Sequence, residues 1–232
     1  MPTILIVPDI HGKTEVLAKA QPYFHQADYV IQLGDIVDSE DANCPNNILW
    51  QVFLDWHQLK KEQPHKFILL WGNHEFSYLN PQRFIVPKHR STLEEPIKEY
   101  LLTHQDLDIA WQCQLVERTW LFTHAGVCQS FCQDYQLNQN NLASSLQKLF
   151  TNNPTAFWQD NSPLWIRDQL FTDPIANYQQ IVGHTPLTQV QEEIVNDCRL
   201  IRADTWHYLR GTTQPMGTQN LLLLSEKNLQ II

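Results

Sequence analysis

The chain has 232 residues, 43% of them hydrophobic, and a formal net charge of −9. That is apolar material for one full core and too little for two large domains. The acidic balance, with Lys60-Lys61 as the longest basic run, excludes a general affinity for nucleic acid duplexes or anionic membranes.

Residues 3–7 form a short β-branched, fully apolar run bounded by Pro8, which predicts a buried strand. A short helix is expected over 16–21 and a second strand over 29–33, ended by Gly34. Apolar residues at Ile48, Leu49, Val52, Phe53, Trp56 and Leu59 predict a helix over 48–63, stopped by Pro64. A third buried strand follows at 67–71, ended by Gly72. Strand, helix, strand, helix, strand implies parallel pairing with crossover helices. Further on, a helix is expected over 96–104, a hairpin from strands 109–116 and 119–123 around Glu117-Arg118, and a helix over 142–150. Residues 151–178, with Pro154, Pro163 and Pro174, read as an irregular cap, and the last strands fall at 180–182, 200–203 and 221–224, the last closing a mixed or antiparallel sheet. Without repeats or low-complexity segments, residues 1–232 read as one domain. No apolar run reaches the roughly 20 residues needed to cross a bilayer, and the N-terminus lacks the pattern of a secretory signal. An odd number of cysteines with no CxxC pair reads as reduced thiols of a cytoplasmic protein.

Polar islands stand where the hydrophobic strands end: Asp9-Ile10-His11-Gly12, Gly34-Asp35-Ile36-Val37-Asp38, Gly72-Asn73-His74-Glu75, His124-Ala125-Gly126 and Gly183-His184. In open α/β sheets, ligands gather at the carboxyl ends of strands, so these islands can share one crevice. Asp9 and His11 are two apart in an extended segment and can point the same way. Asp35 is a hard carboxylate able to bridge two ions, Asn73 offers an amide oxygen, and His124 and His184 add imidazoles. Mixed oxygen and nitrogen donors suit Mn, Fe or Zn rather than Ca. Two such ions polarise a phosphoryl group and activate water. His74 is placed to protonate a leaving group, with Asp38 as the carboxylate that holds it charged. Any one of these islands alone would more often be a turn than a ligand; their joint order carries the reading. Glu75 reads as a partner of nearby backbone. His25, His57, His65, His89 and His104 match no motif and read as surface or helix residues, while His207 in Asp204-Thr205-Trp206-His207 is a further candidate to approach the site. The tryptophans read mostly as core and cap, with Trp158 and Trp165 available to stack a nucleobase.

The five ordered elements resemble the calcineurin-like metallophosphoesterases, and within them the bacterial phosphoprotein phosphatase and diadenosine tetraphosphatase branch, marked by GDxHG, GDxxDR, GNHE, HxG and GH. The resemblance runs from residue 9 to about 184, with Asp204-Thr205 similar to an Asp-Thr pair near the end of bacterial members. It implies a β-sandwich of two mixed sheets flanked by helices, a four-layer α/β/β/α fold. It implies one metal on Asp9, His11 and Asp35 and another on Asp35, Asn73, His124 and His184, with Asp35 bridging and manganese the expected ion. His74 would be the general acid, oriented by Asp38. Arg167, in Leu164-Trp165-Ile166-Arg167-Asp168, resembles a phosphate-binding arginine, although stacking on Trp165 is its alternative. Two positions depart from the pattern: Pro8 replaces a glycine, and Ser39 replaces the arginine that grips phosphate, a role no hydroxyl can take over. The expected activity is hydrolysis of a phosphomonoester or phosphoanhydride by direct attack of metal-activated hydroxide. A dinucleoside polyphosphate or nucleotide diester is the alternative substrate to a phosphoprotein, and a catalytically degenerate binding module is the remote alternative.

Overall fold

The computed structural model describes residues 2–41, 43–167, 171–209, 212–226 and 228–232. The first half alternates β1 (Ile4–Val7), α1 (Thr14–Ala20), β2 (Tyr29–Gln32), α2 (Asn46–Glu62), β3 (Phe67–Leu70), α3 (Asn73–Leu79), α4 (Glu94–His104) and β4 (Leu107–Asp108). The second half continues with β5 (Trp111–Leu115), β6 (Arg118–Phe122), α5 (Gln129–Asp134), α6 (Leu142–Asn152), β7 (Tyr178–Val182), β8 (Gln191–Val195), β9 (Cys198–Arg202), β10 (Leu222–Leu224) and β11 (Leu229–Ile231). One sheet runs β11-β10-β1-β2-β3-β4 and the other β5-β6-β7-β9-β8. In the first, β1 to β4 pair in parallel while β10 closes antiparallel on β1. In the second, β6, β7 and β9 are parallel, with β5 and β8 antiparallel at the edges.

The apolar runs of β1, β2 and β3 are buried on both faces, which explains why they lack alternation. Ile4, Ile6, Ile31, Leu33, Ile68 and Leu70 meet Trp120, Phe122, Ile181 and Ile201 between the sheets. Leu5, Val7 and Val30 turn outward onto Val16, Val52, Phe53 and Trp56 of α1 and α2, and the second sheet is covered by Phe131, Leu142 and Leu146 of α5 and α6. The result is the expected sandwich of two mixed sheets flanked by helices.

Several elements differ from expectation. Asn73 to Leu79 is a helix, α3, so the third polar island is a helical first turn rather than a loop. The strand expected at 109–116 is shorter, β5 running from Trp111 to Leu115, and Leu107-Asp108 just before it is a separate, unexpected strand that pairs with β3. The hairpin turn sits one residue early, because Val116 takes φ +59° and Arg118 already pairs with Leu115. Strands β8 and β11 were not anticipated; β8 is mostly exposed and lacks the apolar alternation that marks a half-buried strand. The segment 151–178 contains a 3₁₀ turn at Pro154–Trp158 and runs into β7 at Tyr178, with 168–170 outside the described residues. No helix among the described residues is long and apolar enough to cross a membrane.

His57 is on a helix as expected, but it is fully buried, between Phe53 and Tyr100, and its Nδ1 lies 2.8 Å from Asp106 Oδ2. Burial pushes the Asp106 carboxyl up, but the hydrogen bond and charge of His57 outweigh it and hold the acid below its ordinary range. A depressed carboxyl contributes stability that is present above the unfolded-state value of about 4 and lost as pH falls through the folded-state value. Asp106→Asn should therefore cost about 1–3 kcal/mol at neutral pH. It should also flatten the acid limb of the stability curve below about pH 4, as read by denaturant unfolding. An unchanged acid limb would show that the pair contributes nothing.

Candidate metal centre

The parallel strands β1, β2 and β3 open their carboxyl ends on one edge, and the loops that follow are stapled together. Ile10 N and His11 N donate to Asp35 O at 2.9 and 2.8 Å, and Gly12 N donates to Ile36 O at 2.9 Å. Glu75, the third residue of α3, accepts from four backbone amides: Asp35 N (2.9 Å), Ile36 N (2.7 Å), Val37 N (3.0 Å) and Gly72 N (3.0 Å). The last is a helix residue reaching back to its own N-cap. Gly34 and Gly72 allow this close approach: a Cβ on Gly72 would lie 2.1 Å from Asp35 Oδ1, and Gly34 takes φ +97°. The second sheet delivers His124 beyond β6 and His184 beyond β7, tied by Gly183 N donating to His124 O at 2.8 Å. His11, Asp35, Asp38 and His184 all adopt left-handed φ, between +48° and +67°. For non-glycine residues this costs about 1–3 kcal/mol each and clusters at functional sites.

These loops bring Asp9, His11, Asp35, Asn73, His124 and His184 into one buried cluster. Asn73 Oδ1 lies 2.9 Å from His124 Nε2 and 3.1 Å from His184 Nδ1, and those two nitrogens are 3.0 Å apart. Ligands about 2.1 Å from one ion and at right angles are separated by about 3.0 Å, so the triangle has the dimensions of three donors on one metal. The tautomers agree: His124 Nδ1 donates to Leu33 O at 2.9 Å and His11 Nδ1 to Val37 O at 3.2 Å, leaving each Nε2 as a lone pair facing inward. Asp35 Oδ2 stands between the two halves, 3.5 Å from His124 Nε2 and 3.7 Å from His11 Nε2. Asp9 accepts the His184 amide with both oxygens, at 3.0 and 3.2 Å. The donor set of carboxylates, one amide oxygen and neutral imidazoles fits two divalent ions.

His74 Nδ1 is 2.7 Å from Asp38 Oδ2, while its Nε2 is 3.8 Å from Asp35 Oδ2. Tyr78, four residues on along α3, donates to the other Asp38 oxygen at 2.5 Å. Sequence reasoning missed Tyr78, because its i,i+4 relation to His74 has meaning only once residues 73–79 are seen to form a helix. Arg167 is exposed, lines the same cavity of about 370 Å³, and its Nη1 donates to His184 O at 3.4 Å. Asp168 of that motif lies outside the described residues. Ser39 is buried, and its Oγ accepts from Asp41 N at 3.2 Å, so the hydroxyl serves its own loop. Phe84, Lys88, Trp165 and His207 also line the cavity.

Charge dominates the site. Burial, then Asp204 and Asp35, raise the Asp9 carboxyl well above its ordinary value. Burial also pushes Asp35 up, but His124, His74 and His11 outweigh it and hold the acid ionised. Burial lowers His11, His124 and His184, favouring the neutral, ligating form. Burial would lower His74 too, yet Asp35 and Asp38 lift it to about 9.

The family model for calcineurin-like phosphoesterases matches residues 2–222. No protein of curated function matches the sequence significantly. Solved structures similar to the chain include a cold-active protein-tyrosine phosphatase of a psychrophilic Shewanella species, with 16% identity over 100% of this chain and 80% of that one and a TM-score of 0.63. A protein serine/threonine phosphatase of Saccharomyces cerevisiae shares 15% identity over 100% and 79%, with a TM-score of 0.58. The E. coli phosphoesterase YfcE shares 14% over 99% and 92%, with a TM-score of 0.50. At these identities the likeness is one of fold.

Removing the carboxylate that organises the loops should scatter the donors. Glu75→Ala leaves four buried amides without an acceptor, at about 1–3 kcal/mol each, so it should unfold the chain or abolish metal-induced stabilisation. Glu75→Gln keeps the shape, and thermal melts with and without Mn²⁺ should show a lower midpoint and a smaller metal-induced rise. A wild-type response in Glu75→Gln would contradict this role.

Proposed function

We propose that this chain, which belongs to the calcineurin-like phosphoesterase family and is a metal-dependent phosphoesterase, hydrolyses a phosphomonoester or phosphoanhydride by direct in-line attack of water. The observation that carries the reading is the pairing of two donor sets across Asp35 with an imidazole, His74, whose far nitrogen faces them. In this reading Asp9, His11 and Asp35 hold one divalent ion, and Asp35, Asn73, His124 and His184 hold the other, with manganese the expected metal. When bound, the ions supply Lewis acidity toward phosphoryl oxygens and make water a nucleophile near neutral pH. Asp38 fixes His74 Nδ1–H, and Tyr78 fixes Asp38, so His74 presents a proton on Nε2 to the leaving oxygen. Proton donation of this kind contributes about 10²–10⁴-fold. Arg167, which lines the cavity together with Lys88, contacts the phosphate. The catalytic unit is a single domain in which Trp165 and Arg167, from the stretch before β7, line the cavity. Free thiols at all five cysteines fit a reducing compartment such as the cytoplasm.

A phosphoprotein and a nucleotide remain two readings of the substrate. A typical protein phosphatase clamp would have a second arginine where Ser39 stands. The nucleotide reading is favoured by two aromatic residues that line the cavity, Phe84 and Trp165, packed edge-on at 5.0 Å; Trp158, which does not line it, stacks on Trp165 at 5.9 Å. Arg83 lies 5.5 Å from the Trp158 ring.

Metal-stripped protein should gain aryl phosphatase activity on adding Mn²⁺, and His74→Asn should lower kcat by about 10²–10⁴-fold with little change in KM. A panel of phosphopeptides, dinucleoside polyphosphates and cyclic nucleotides, with product analysis, separates the substrate classes. Full activity in chelator would overturn the mechanism.

A further inference from the structure

We propose that His207 is a fourth protein ligand to the ion held by Asp9, His11 and Asp35, and that Glu40 is the carboxylate that orients it. This rests on the two-metal reading above. Ligand atoms of Asp9, His11 and His207 all lie within 4.8 Å of one another. The His11 and His207 rings stand 5.0 Å apart at 65°, close to the 4.8 Å and 68° of His124 and His184, the two imidazoles of the other donor set.

On its Nδ1 side His207 has the form that a ligating histidine requires. Such a histidine donates its outer N–H to a carboxylate, which fixes the tautomer and ring orientation. His207 Nδ1 is 2.5 Å from Glu40 Oε1. Glu40 is itself buried and anchored by Lys13 Nζ at 2.9 Å and Lys88 Nζ at 3.5 Å. The other ring nitrogen, Nε2, rests on Asp204 Oδ2. Asp204 is fully buried, and its second oxygen has no hydrogen-bond partner among the described residues. It also lies near enough to Asp9 to raise that carboxyl after burial has done so. A divalent ion at Asp9 and His11 takes the Nε2 lone pair in place of its proton, which passes to solvent, and offsets the buried carboxylates around it. Asp204 then becomes an outer partner, as Glu40 already is.

This assignment gives a role to Glu40, the residue that follows the departure at Ser39. Where the family has an arginine and its following residue, this chain has Ser39, turned into its own loop, and Glu40, turned onto His207.

Calorimetric titration of the metal-stripped full chain with Mn²⁺ tests the proposal. Wild type should bind two ions. His207→Ala should keep one site and weaken the other at least 10-fold, and Glu40→Gln should weaken that same site by about 10–100-fold while keeping the stoichiometry of two. In the Co²⁺ form, His207→Ala should lose one hyperfine-shifted, exchangeable imidazole N–H resonance. If His207→Ala fails to fold, Glu40→Gln carries the test. Wild-type affinities at both sites in these variants, with the same set of shifted resonances, would overturn the role of His207 and leave the two-metal reading intact. Fewer than two ions in wild type would overturn both.

Discussion

The constraint on which the site depends is the Glu75 carboxylate buried against the amides of two loops. It accepts four backbone N–H groups, three from residues 35–37 and one from Gly72. Those bonds hold the loop after β2 against the start of α3 at a distance that only glycine at 34 and 72 permits. Once that joint is made, Asp35 Oδ1 accepts from His74 N at 3.0 Å, and Asn73, His74 and Asp35 are fixed relative to one another. Burial and the nearby Asp35 charge push the Glu75 acid up to about 7, against the pull of its amide bonds. A buried carboxylate in that position is costly unless it is fully hydrogen-bonded, and it is.

The sandwich then supplies the other half. The first sheet sets out Asp9, His11, Asp35 and Asn73; the second brings His124 and His184 from the opposite side. The Asp9, His11 and Asp35 set lies on loops of the first sheet, whereas the set of Asp35, Asn73, His124 and His184 is complete only where the two sheets meet. Bringing so many acids and imidazoles out of water without counter-ions runs against the electrostatics of burial, and left-handed backbone at His11, Asp35, Asp38 and His184 adds strain. Two divalent cations held there would offset the buried charge. An acidic chain can in this way present a site that attracts phosphate.

Much of this was legible in the sequence because each polar island follows an apolar strand, and strands ending on one edge bring their loops together. That Glu75 partners nearby backbone was legible, but the four amides it meets needed the fold. Helix α3 was not legible, since Asn73 and His74 are weak helix formers and the segment reads as a turn; the Glu75 contacts and tertiary burial override that propensity. Strand β8, with its exposed Gln191, Glu192 and Glu193, is held by pairing to β9 rather than by an apolar face. Pairs such as His57 with Asp106 and Glu40 with His207 are far apart along the chain, and no local pattern announces them. Ser39 was visible as a departure, but that its neighbour Glu40 meets Lys13 and His207 needed the fold.

The most direct test of the central claim is a crystal structure of the Mn²⁺-soaked protein with anomalous scattering at the manganese edge. The account predicts two peaks about 3.5–4 Å apart, one within the Asn73, His124 and His184 triangle and one beside Asp9 and His11, with Asp35 touching both. A single peak, or two peaks that do not share Asp35, would contradict it.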